Sequence, residues 1–91
     1  MALFAVMLFT FSLSATIVKE KDIPDGWSYY AEVKATNQFK SDSYHCTVIR
    51  ANICGETEYK ICHFNTWYPV HSDSDTYYFY DNGGIKYTFR M

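Results

Sequence analysis

Residues 3–13 form an unbroken run of apolar and small residues, and no charge occurs anywhere in residues 1–15. Further along, the pattern changes to alternation. Trp27, Tyr29, Ala31, Val33 and Ala35 take one face of an extended segment and Ser28, Tyr30, Glu32 and Lys34 the other, the twofold period of a strand. Pro24-Asp25-Gly26 ahead of it is a turn signal. Residues 44–51 and 58–64 read as a second and third strand around a turn at 52–57, with polar loops at 37–43 and 69–75. Residues 76–80 and 85–90 flank Asp81-Asn82-Gly83-Gly84. A type I′ turn at Asn82-Gly83 would set Tyr80 against Ile85, Tyr78 against Tyr87 and Thr76 against Phe89, with Phe79 facing Lys86 and Tyr77 facing Thr88.

Composition turns these strands into a fold class. Leu3, Leu8 and Leu13 are the only leucines, while the rest of the chain is filled with Tyr, Trp, Phe, Ile, Val and Thr. Aromatic and β-branched residues suit a pleated surface and lose rotamer freedom in helices. The expectation is an all-β domain, either a small sandwich or a small antiparallel barrel. The apolar run at 3–13 is shorter than the roughly 20 residues a membrane-crossing helix needs. With Ser12, Ser14 and Ala15 behind it, it reads as a secretory signal peptide over residues 1–15. Cleavage would leave one all-β domain at 16–91, secreted or in the ER lumen, with no membrane span; the alternative is an uncleaved anchor. A domain this small has a thin margin of stability.

Eight Lys and Arg stand against ten Asp and Glu, for a net charge of −2 with both signs scattered. No basic run offers nucleic acid or an anionic membrane a landing site. Cys46, Cys54 and Cys62 are an odd count for a secreted chain. Pairing the second and third strands around Cys54 puts Cys46 opposite Cys62, Arg50 opposite Glu58 and Ile49 opposite Tyr59. A Cys46–Cys62 disulfide would add about 3 kcal/mol on the chain-entropy model. Cys54, left at the turn tip, would join a second copy in a disulfide-linked homodimer; the alternatives are a buried free Cys54, a different internal pairing, or no disulfide.

Catalytic chemistry is thin. His45 beside Cys46 and His63 beside Cys62 are strand neighbours, which point to opposite faces. His45, His63 and His71 with the cysteines lack zinc-ligand spacing, and residues 71–75 lack the glycine and final glutamate of a calcium loop. No metal, cofactor or enzyme activity is expected. The doublets Tyr29-Tyr30 and Tyr77-Tyr78 put an aromatic on both sides of a strand, leaving surface for a second sheet or a partner.

Tyr44-His45-Cys46-Thr47-Val48 resembles the Tyr-x-Cys-x-Val of an immunoglobulin F strand. The stretch from Cys46 through Cys54-Gly55-Glu56 to Cys62-His63-Phe64, behind a short signal peptide, is similar to small secreted immunoglobulin-like accessory proteins of coronaviruses. The resemblance implies an immunoglobulin-like β-sandwich, a non-catalytic role and action on host factors, immune ones among them. Residues 16–43 hold no Cys, so the family's bonding does not carry over.

The expected function is a secreted binding module for an extracellular or luminal protein, centred on Tyr30, Trp67, Tyr68 and Tyr77. The alternatives are a carbohydrate-binding module with Trp67 and Tyr68 as a stacking platform, and a small secreted toxin or antimicrobial.

Overall fold

The computed structural model describes residues 23–91, so the signal-peptide reading of residues 1–15 lies outside the described residues. Seven antiparallel strands make one sheet: β1 Ser28–Asn37, β2 Ser43–Ile53, β3 Glu56–His63, β4 Thr66–Pro69, β5 His71–Asp73, β6 Thr76–Tyr80 and β7 Lys86–Phe89. Their order, β4-β3-β2-β1-β7-β6-β5, keeps consecutive strands adjacent except β4 and β5, and sets β7 beside β1. β4 and β5 lie at the two edges, with only Val70 between them in the chain. Val70 N–H still donates to the Tyr59 carbonyl of β3 at 3.1 Å, after which the chain leaves β3 and pairs with β6. One bent segment thus joins both edges, and the sheet becomes a nearly closed, barrel-like sandwich, which leaves little edge for foreign strands. The loop expected at residues 69–75 holds the short strand β5.

The absence of leucine from the described residues is explained inside. Val33 and Ala35 of β1 and Cys46 and Val48 of β2 supply small side chains, and Phe79, Tyr87 and Phe89 of β6 and β7 supply large ones. Phe79 is fully buried, stacked on Tyr87 at 4.8 Å and on Tyr68 at 5.4 Å. Small against large across facing strands lets the layers interlock at the density of a protein interior.

The alternation at 27–35 is interrupted. A bulge between Tyr29 and Ala31 turns Ala31, Val33 and Ala35 inward and leaves Tyr29 outside, opposite Ile49. The Pro24–Trp27 turn, closed by Trp27 N–H to the Pro24 carbonyl at 3.1 Å with Gly26 at φ 86°, carries Trp27 back under the Lys60 ammonium, 4.8 Å from its ring. Lys60 is Ile49's partner on β3. Ile49 is fully buried although it lies on the outer face.

Two registers differ from expectation by one residue. On β2–β3, Thr47 pairs with Cys62, Ile49 with Lys60, Arg50 with Tyr59 and Ala51 with Glu58. The cause is a two-residue turn, Cys54 at φ 52° and Gly55 at φ 83°, in place of a loop pivoting on Cys54. A one-residue slip exchanges faces. Cys46 points into the core and Cys62 to the outside, so this register does not bring the two side chains together for a disulfide. On β6–β7, Tyr77 pairs with Phe89, Tyr78 with Thr88, Phe79 with Tyr87 and Tyr80 with Lys86. Here Asp81 overrides the Asn82-Gly83 signal. Its Oδ1 accepts from Gly83 N–H at 2.8 Å and Ile85 N–H at 3.0 Å, Asp81 N–H donates to the Ile85 carbonyl at 3.0 Å, and Gly84 takes positive φ at 81°. That is a three-residue loop with its left-handed glycine last.

Candidate interaction surface

The two ends of the barrel differ. One end carries the β1–β2 loop, the β3–β4 turn and the β6–β7 loop; the other carries the chain entry at β1 and the β2–β3 and β5–β6 turns. On the first end Phe39 is 76% and Phe64 77% exposed, the highest values among the exposed large hydrophobic residues. The backbone of both loops is held in place. Phe39 N–H donates to Oδ1 of the buried Asn37 at 2.7 Å, and Gln38 N–H donates to the Lys86 carbonyl at 3.0 Å, tying that loop to β7. Phe64 and Asn65, at φ 48° and 61°, form a tight turn, and the Phe64 ring lies 4.3 Å from His63 and 5.8 Å from Tyr44.

Beneath Phe64, His63 is buried among Tyr44, Phe79 and Tyr87 at centroid distances of 5.1, 5.7 and 4.6 Å. Its Nδ1 is 3.8 Å from Cys46 Sγ. The residues that cannot meet as strand neighbours meet across strands, because the register turns Cys46 and His63 to the same face. Burial lowers the His63 pKa against the opposing pull of the Asp81 carboxylate. Asp81 itself is held below the usual carboxylate range, first by the Ile85 N–H bond and then by Gly83 and Tyr87, with burial acting the other way. Tyr87 Oη donates to Asp81 Oδ2 at 3.2 Å, and burial first, then that bond, raises its pKa. Neither Cys46 nor His63 reaches solvent appreciably, so the pair organises the barrel end from inside. Among the described residues, no group of three or more His, Cys, Asp or Glu is placed to hold a metal ion. No helix among them is long and apolar enough to cross a membrane.

The four aromatics singled out from the sequence do not form one surface. Tyr30 is the bulge residue, 38% exposed at the far end, edge-on to Tyr59 at 5.2 Å and under the Arg50 guanidinium at 5.0 Å. Trp67, opposite Cys62, is half-buried on the outer face, while Tyr68, opposite Ile61, turns inward onto Phe79. Adjacent strand residues cannot share a face, which removes the joint Trp67–Tyr68 platform. Tyr77 also packs inward, stacked on Phe89 at 5.9 Å. Cys54 is exposed at its turn tip, as expected. Sequence reasoning missed Phe39 and Phe64. The signal for Phe39 was present, an apolar ring within the polar stretch 37–43; Phe64 was hidden as the last residue of an apparent strand.

No family model matches the chain, and no similar curated protein or solved structure was found for it.

Proposed function

We propose that this protein is a secreted, non-catalytic binding module that engages a protein partner through the barrel end bearing Phe39 and Phe64. The observation that supports this reading is the pair of phenylalanines, each about three-quarters exposed, on two anchored loops at the same end. Aromatic side chains on loops whose backbone is anchored before binding give large contact area at reduced entropic cost. Gln38, Lys40, Asp42 and Asn65 are exposed in the same two loops and supply a polar rim. The resemblance to coronavirus accessory proteins would make that partner a host factor. Cys54 lies at the opposite end, so a disulfide between two copies would leave both Phe-bearing ends pointing away from the joint and make the product bivalent.

The test is a comparison of the immobilised secreted protein with its Phe39→Ser/Phe64→Ser variant as baits for extracellular proteins, both checked for an unchanged β-sheet spectrum. A saturable partner lost with the double variant supports the reading. The same partners captured by both baits would overturn it.

A further inference from the structure

Lys34, Lys86 and Arg90, distant along the chain, lie on one flank of the barrel. β6, β7 and the following Arg90 hold no acidic residue. The register places Thr36 of β1 opposite Thr88 of β7, Thr88 opposite Tyr78 of β6, and Tyr78 opposite His71 of β5. These four form a row across the outer face, since their neighbours Asn37, Tyr87 and Phe79 are buried. Strands about 4.8 Å apart make the row roughly 14 Å long.

Cations flank it on both sides. Lys34 and Arg90, both exposed, line an open groove of about 410 Å³ together with Thr36, Thr76, Thr88 and Phe89. The groove exists because β1 and β7 pair only through Thr36–Thr88 and Asn37–Tyr87 and then part. On the other side Lys86 holds its ammonium 4.6 Å from the Tyr78 ring, and Tyr80, 48% exposed, stands edge-on to Tyr78 at 5.8 Å. His71 stacks on Tyr78 at 5.3 Å. Three carboxylates border the flank: Glu32, which accepts from Thr47 Oγ1 at 3.1 Å, Asp73, opposite Thr76, and Asp75 in the exposed β5–β6 turn; none of them stands on β6, on β7 or in the row itself.

We propose that this flank, from the Lys34–Arg90 groove to Tyr80, binds a chain of an acidic glycan. Lys34, Lys86 and Arg90 together attract a polyanion to this flank. Guanidinium and ammonium groups take its sulfate or carboxylate groups. The threonine hydroxyls meet sugar hydroxyls, and the Tyr80 ring takes the apolar C–H face of a pyranose. Hydroxyls and rings between the cations favour a sugar backbone over an acidic peptide. The site is on the barrel's flank and works independently of the Phe39–Phe64 end.

The experiment is calorimetric titration of the full secreted chain with a heparin-derived hexasaccharide. Binding that weakens as salt rises is expected, with affinity at least tenfold lower in Lys34→Gln/Arg90→Gln and several-fold lower in Tyr80→Leu at an unchanged salt slope. Phe39→Ser/Phe64→Ser should bind like the parent, which separates this site from the protein-binding end. A hyaluronan hexasaccharide bound with the same losses also supports the proposal and names carboxylate as the anion. No binding of either sugar, full affinity in Lys34→Gln/Arg90→Gln, or equal affinity for a poly-glutamate peptide of matched charge would overturn it.

Discussion

Thr47, and not Cys46, stands opposite Cys62 across β2 and β3. The register therefore sends Cys46 inward to His63 and leaves Cys62 on the outer face, opposite Trp67 on its other side. Peptide mapping of the non-reduced protein after mild oxidation is expected to show no Cys46–Cys62 cross-link. Recovery of that cross-link from folded protein would require the β2–β3 register to be shifted by one residue.

Cys54 occupies a left-handed conformation, φ 52°, that costs an ordinary side chain about 1 kcal/mol and glycine nearly nothing. Cys54→Gly should raise stability to denaturant by about 0.5–1 kcal/mol. The same change should abolish any reducible dimer on a non-reducing gel. The two readouts are independent, since strain belongs to the monomer and cross-linking to the thiol.

Asp81 fixes the C-terminal hairpin through two backbone N–H groups and the Tyr87 hydroxyl. Asp81→Ala would leave those donors without their shared acceptor, at a cost of roughly 1–3 kcal/mol. Asp81→Asn, which keeps one acceptor oxygen, should lose less. Urea denaturation of both variants checks the order, and equal loss would show that charge rather than hydrogen bonding holds the loop.

His63 makes stability depend on pH. Its folded pKa lies below the unfolded value of about 6.5, so the unfolded chain binds the proton more readily. The stability from keeping His63 neutral is full above that value and falls as pH drops below it towards the folded pKa. Asp81 adds a second loss at lower pH, since its own pKa is also depressed and its contribution disappears as the carboxylate is protonated. The melting temperature should therefore fall between pH 7.5 and 5.5, and His63→Phe should flatten that part of the profile. An unchanged slope in His63→Phe would assign the loss to another group.

Much of the architecture was legible along the chain. The near absence of leucine, the alternation from Trp27 and the turn residues at 24–26, 52–57 and 81–84 determined an all-β domain and the positions of most strands. These are local properties, set by side-chain shape and by which residues tolerate positive φ. Register was not local. Cys54-Gly55 makes a two-residue turn at a dipeptide that is not a common hairpin signal, and the Asp81 side chain outbids the Asn82-Gly83 signal beside it. Each moves one strand by one residue, which is enough to carry Cys62 and Tyr78 out and Phe79 and Tyr77 in. The candidate surfaces depended on that tertiary step. Phe39 and Phe64 share an end because β1–β2 and β3–β4 turn at the same side of the barrel. Lys34, Lys86 and Arg90 share a flank because β7 returns to pair with β1. Residues fifty positions apart have no pattern in common along the sequence, and only closure of the sheet makes them neighbours.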